Sequence, residues 1–152
     1  MQRTDRPVEE HIVSLPTDVR ADMARLDAEI SLVMADHQRV LWEGKFWGGT
    51  DQNIIGYGVY SYQGRSGASG EWFVVGLAAQ KSYITVYGVA PSDYTDEAKA
   101  IRDRLGKAKI GRNTVSFKRL SDIDLPTLLK LVDRARTAAP TSLRDVLAAG
   151  CL

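Results

Sequence analysis

Four cations, Lys107, Lys109, Arg112 and Lys118, gather around two glycines, Gly106 and Gly111. Ammonium and guanidinium groups beside open backbone amides attract phosphate or carboxylate by simple electrostatics. This basic segment, with Lys81 upstream, is therefore a candidate anion site; the plainer reading is a solvated basic turn. A second group is acidic. Asp18 and Asp22 share a helix face and Glu29 lies further along it, and clustered carboxylates can hold a hard cation or ferrous iron weakly. Arg25 stands three residues after Asp22 and four before Glu29, however, so local ion pairing competes with metal binding. A third group is aromatic. Strict alternation puts Gly56, Gly58, Tyr60 and Tyr62 on one face of a strand, Trp72, Val74 and Gly76 on one face of the next, and Tyr83, Thr85 and Tyr87 on one face of a fourth. A face rich in tyrosine and tryptophan with glycine gaps suits a flat ligand or a partner protein, or equally a closely packed helix.

Other chemistries find no support in the residue pattern. His11 and His37 fit no metal-ligand spacing, and both read as surface or boundary histidines. Cys151 is the sole cysteine, which forbids a disulfide within the chain and, beside two isolated histidines, gives neither a zinc site nor a nucleophile pair. Gly64-Arg65-Ser66-Gly67 lacks the spacing of a nucleophile elbow. Gly56-Tyr57-Gly58 lies inside a strand with no helix after it, unlike a dinucleotide fingerprint. The Gly106–Gly111 run lacks the Lys-Ser/Thr pair that closes a P-loop.

The elements that must carry these groups follow from periodicity. Pro7 suits a helix start, and Pro16 ends that helix. Thr17 reads as an N-cap for an amphipathic helix reaching Asp36, with Val19, Met23, Leu26, Ile30 and Val33 as its apolar stripe. The period then falls to two, predicting strands over about Val40–Trp47, Ile54–Tyr62, Glu71–Leu77 and Ser82–Val89. Their short connections favour antiparallel hairpins, and Phe73, Val75, Leu77, Ile84 and Val86 fall on a core-facing side. A helix over Thr95–Leu105, stopped by Gly106, precedes a fifth strand, Thr114–Phe117. A long helix over Leu125–Ala138 comes next, broken by Pro140, and 139–152 forms a short helical extension. The fold class is thus α+β: one domain over 1–152 with a mostly antiparallel sheet of about five strands flanked by helices.

With 152 residues, 44% of them hydrophobic and 26% charged, the chain can bury an ordinary globular core. The net charge of +1 is unevenly spread: residues 1–36 carry 4 basic and 8 acidic groups, and residues 102–119 carry 7 basic and 1 acidic. Near-neutrality argues against nucleic acid as a partner. No apolar run has the length of a signal peptide core or a membrane span, which with the lone cysteine predicts a cytoplasmic protein.

From Trp47 onward the order of motifs resembles the YdhG-like family, a bacterial domain of unknown function. The matching stretches are Trp47-Gly48, Ile55-Gly56-Tyr57-Gly58-x-Tyr60-x-Tyr62, Ser66-Gly67, Glu71-Trp72-Phe73-x-Val75-Gly76, Lys81 with Ile84-Thr85-Val86-Tyr87, Leu105-Gly106-Lys107-x-Lys109-x-Gly111, and Lys118-Arg119-Leu120-x-Asp122-x-Asp124-Leu125-Pro126. Relatives often carry a Gly-Phe-Ser-Pro-Arg-Lys type run where this chain reads Gly76-Leu77-Ala78-Ala79-Gln80-Lys81, so an arginine and a hydroxyl are missing. The resemblance implies a two-layer, frataxin-like fold. It also implies an alternative role in iron binding or delivery, for which only Asp18, Asp22 and Glu29 could serve as ligands. The leading expectation is a non-enzymatic module without a cofactor, monomeric or homodimeric. It would bind a protein or a small anionic ligand through Tyr60, Tyr62, Trp72, Lys81, Tyr87, Lys107, Lys109, Arg112 and Lys118.

Overall fold

The computed structural model describes residues 1–45, 51–63, 69–91 and 95–138. The 139–152 extension with Cys151, the end of the expected strand at Trp47, and the Ser66-Gly67 turn lie outside them. The chain is α+β, with all strands antiparallel in one open sheet of seven rather than five. In chain order the elements are β1 Gln2–Arg3, α1 Val8–Val13, α2 Thr17–Val33, β2 Arg39–Lys45, β3 Asp51–Gln63, β4 Ser69–Ala79, β5 Ile84–Tyr87, α3 Asp96–Leu105, β6 Lys109–Ile110, β7 Thr114–Phe117 and α4 Leu125–Thr137. The sheet order is β1-β2-β3-β4-β5-β7-β6. The two strands that periodicity misses, β1 and β6, span two residues each, too short for alternation to register. They are placed by pairing alone, Arg3 opposite Trp42 and Lys109 opposite Ser116.

Local chemistry explains the helix boundaries. The Thr95 hydroxyl caps α3 by accepting from the Ala98 amide at 3.1 Å, and Asp124 caps α4 by accepting from Thr127. Thr17 opens α2 as its first residue instead of capping it; Pro16 holds the cap position, with no side-chain bond. Among the described residues no helix is long and apolar enough to cross a membrane.

The helices cover one face of the sheet. Ile12 of α1, Met23, Leu26 and Ile30 of α2, Ile101 and Leu105 of α3, and Leu128, Leu131 and Val132 of α4 join Leu41, Ile55, Tyr57, Val75, Leu77, Ile84, Val86, Val115 and Phe117 in one buried cluster. Alternation predicts Phe73 on that same face, and here the prediction fails. Val74 and Val75 both belong to the helix-side core, whereas Trp72 and Phe73 both belong to a second cluster. The switch lies opposite Gly58, which takes φ +80° and donates its amide to Gln38 O at 2.7 Å. A glycine with positive φ kinks its strand and re-aims the side chains beyond it.

The second cluster is aromatic: Trp42, Ile54, Trp72, Phe73 and Ala78, edged by Tyr60 and Tyr87. Phe73 stacks on Trp72 at 4.8 Å between centroids and meets Trp42 and Tyr87 edge-on at 5.7 and 6.0 Å. Gly56 and Gly76, a cross-strand pair, leave bare backbone for these rings. A Cβ at Gly56 would come 2.4 Å from Trp42 Nε1, and one at Gly76 would come 2.7 Å from Phe73 Cε2. Gly76→Ala should therefore cost about 1–3 kcal/mol through overpacking. Denaturant unfolding of Gly76→Ala, Phe73→Leu and the double variant checks this, because relief of the clash by Phe73→Leu appears as a non-additive, smaller loss.

Candidate functional site

The aromatic cluster covers the outer face of the sheet over β2, β3 and β4. Over β5, β7 and β6 that face is polar instead. Cross-strand pairs Thr85–Ser116 and Tyr87–Thr114 put hydroxyls side by side, and Thr85 and Ser116 share a hydrogen bond of 3.0 Å. Thr85 is buried, 4% exposed, so this floor is fixed. Above it opens a cleft of about 730 Å³, lined among others by Tyr83, Thr85, Tyr87, Ser116, Phe117 and the three lysines Lys107, Lys109 and Lys118. Asp122 supplies a carboxylate to the same wall. Gln80 Nε2 donates to both Tyr87 Oη (3.0 Å) and Gln52 Oε1 (3.1 Å). Burial raises the Tyr87 phenol above its usual range, and the Gln80 bond offsets part of that rise. Tyr87 therefore faces the cleft as a neutral hydroxyl, its ring braced edge-on by Phe73.

The 105–107 backbone is pinned by three contacts to one segment, Asp122–Asp124. Lys107 N donates to Asp122 O at 2.9 Å, Gly106 bridges to Ile123, and Asp124 N donates to Leu105 O at 2.8 Å. The partner segment is in turn held by helix α2: Asp22 Oδ2 accepts from Leu120 N and from Arg119 Nε, both at 3.1 Å. Asp22 is thus tied up in bracing the 119–122 turn. Glu29 pairs with Arg25 at 3.4 Å, and Asp18 lines a different cleft. Among the described residues no three His, Cys, Asp or Glu side chains converge as a metal site, so the structure does not gather Asp18, Asp22 and Glu29 into one.

Of the other expected binding residues, Lys81 lines a neighbouring cleft, and exposed Arg112 lies at the β6–β7 turn outside the lining of the first. Tyr60 is half-buried against both clusters. Trp72 is a correction: at 4% exposure it is packed in the aromatic cluster and offers no docking face. The Tyr62 side chain lies outside the described residues.

The chain matches no protein-family model, no curated protein and no solved structure. The case for a site therefore stands on geometry.

Residue patterns alone also miss a buried ionic network. Asp27 is 7% exposed and accepts from Arg39 Nε (2.9 Å), Arg39 Nη2 (2.5 Å) and Tyr57 Oη (2.6 Å). Arg39 Nη1 donates onward to Glu9 at 2.7 Å, which lowers the Glu9 carboxyl below its usual range. A signal existed in the sequence: Asp27 sits four residues after Met23 and three before Ile30, within the apolar stripe. His11 is a further correction, being buried at 5% with no hydrogen bond to its Nε2 among the described residues.

Two pH predictions follow from signs. Burial, then the Asp27 charge, raises Tyr57 well above 10.0. The folded chain keeps that proton while the unfolded chain releases it at about 10, so stability falls as pH rises beyond that value. Tyr57→Phe should cost about 1–2 kcal/mol at pH 7, as the loss of a bond to a charged acceptor, and should reduce the alkaline decline, leaving the share of Tyr87, whose phenol is also raised; urea titrations at neutral and high pH read both. Burial, then Arg6, lowers His11 below 6.5, so stability present above that value is lost as pH falls toward the folded pKa. His11→Leu should flatten the acid limb of the same curve.

Proposed function

We propose that the chain is a binding module whose ligand is a small anion held in the cleft over β5, β7 and β6. The convergence of Lys107, Lys109 and Lys118 above a fixed hydroxyl floor carries this reading. Lys107 comes from the loop after α3, Lys109 from β6 and Lys118 from the residue after β7, and the β5-β7-β6 strand order brings them to one recess. Among the described residues no ion pair engages any of the three. Three unneutralised ammonium groups, one carboxylate and several neutral donors favour an anion over a cation.

Membership of the YdhG-like family is part of the same proposal and rests on the ordered motifs. Those motifs fall on positions with physical work to do: the Gly56–Gly76 pair under the rings, Phe73 on top of it, and Gly106 beside the bridge to Ile123. A cytoplasmic setting is proposed on the lone cysteine.

Inorganic pyrophosphate tests the proposal. Titrated into isotope-labelled protein, it should shift the amides of Lys107–Gly111, Thr85 and Ser116, and Lys107→Glu/Lys109→Glu should weaken the binding at least about tenfold, or 1.4 kcal/mol, with the rest of the spectrum unchanged. Shifts scattered over unrelated lysines, or unaltered by the double variant, would refute it.

A further inference from the structure

The surroundings of the cleft narrow its ligand further, on the basis of the anion-binding reading. A second cleft of about 560 Å³ adjoins the first, shares Gln80, Tyr83 and Lys118 with it, and adds Lys81 and Arg119. Lys118 therefore serves both recesses. Tyr83 stands where they meet and is 47% exposed, the one aromatic among the large exposed hydrophobic side chains of the described residues. A single exposed ring means little by itself. Flanked by ammonium groups on either side, it offers a π-face for a planar ring while the cations take the anionic groups attached to that ring. The Thr85–Ser116 floor and the Gln80–Tyr87 pair line the same cleft and add neutral hydrogen-bonding groups of the kind that a sugar uses.

Charge limits the length of the ligand. Asp122 lines the first cleft and Asp18 the second, and the Arg119 guanidinium is already engaged by Asp22 at 3.1 Å. The unneutralised positive groups are thus few, Lys107, Lys109 and Lys118 in the first cleft and Lys81 with Lys118 in the second, and do not make a continuous track for a long phosphate backbone. We infer that the ligand is a nucleotide, its base stacked on Tyr83 and two or more phosphate groups held by Lys118 and the lysines of the 107–109 loop.

Calorimetry of the whole chain with ADP, inorganic pyrophosphate and adenosine tests this. Stacking should make ADP bind about tenfold more tightly than pyrophosphate, with adenosine weakest. Tyr83→Ala, at an exposed position that leaves the fold intact, should bring ADP down to the level of pyrophosphate without changing pyrophosphate itself, and Tyr83→Phe should keep the advantage. If ADP gains nothing over pyrophosphate, or Tyr83→Ala leaves ADP unchanged, the nucleotide is wrong and the anion site stands. If pyrophosphate also fails to bind, both readings fall. An oligothymidylate that binds more tightly than ADP, with a salt dependence growing with strand length, would overturn the nucleotide in favour of a nucleic-acid strand.

Discussion

All four described helices bury their apolar stripes against one face of the sheet, and that asymmetry constrains everything on the other face. An apolar sheet surface left in water invites association, so the outer face has to be covered by its own side chains or made polar. The chain does one on each half. Over β2, β3 and β4 the Gly56–Gly76 pair removes two side chains and lets Phe73 and Trp42 lie against backbone, closing a self-packed aromatic cluster. Over β5, β7 and β6 the outward positions are hydroxyls and lysines, and a cleft remains. Tyr87 belongs to both halves, its ring packed on Phe73 and its hydroxyl turned to Gln80. Tyr87 thus joins the edge of the aromatic cluster to the lining of the candidate site.

How much of this was legible in the sequence depends on the range over which each signal acts. Thr114–Phe117, the start of α4 at Leu125 and the end of α3 at Gly106 were readable because period and breakers are local. The faces of Phe73 and Val74 were not, because the switch between them lies opposite Gly58, whose backbone takes a positive φ on the neighbouring strand. A strand read alone alternates strictly; a strand paired to a kinked neighbour need not. Lys107, Lys109, Lys118 and Tyr87 were each identifiable as candidates, but their convergence comes from the insertion of β7 between β5 and β6. Arg112 and Lys81 had the same residue chemistry and fall outside this cleft, in the β6–β7 and β4–β5 turns.

Asp27, Arg39 and Tyr57 show the opposite balance of forces. Burying a carboxylate is costly, and the network is tolerable because both oxygens of Asp27 accept bonds and the guanidinium is satisfied at both ends. Removing one charge from a fully buried ion pair costs about 3–5 kcal/mol, whereas replacing the whole pair with apolar groups can be neutral; the partial exposure of Arg39 brings its loss below that range. The network ties α1, α2, β2 and β3 together through Glu9, Asp27, Arg39 and Tyr57.

The same logic links the helix layer to the cleft. Asp22, which pattern alone offers as a metal ligand, projects from α2 to hold Leu120 N and Arg119 Nε. That turn holds Lys107 through Asp122 O. A lysine-rich loop free in solvent would lose side-chain and backbone entropy on gripping an anion. Here most of the backbone share is lost on folding, because the turn is anchored to a helix whose own stripe is buried. The Asp22 carboxylate, which pattern alone offers to iron, is instead spent on the turn against which the Lys107 backbone is held.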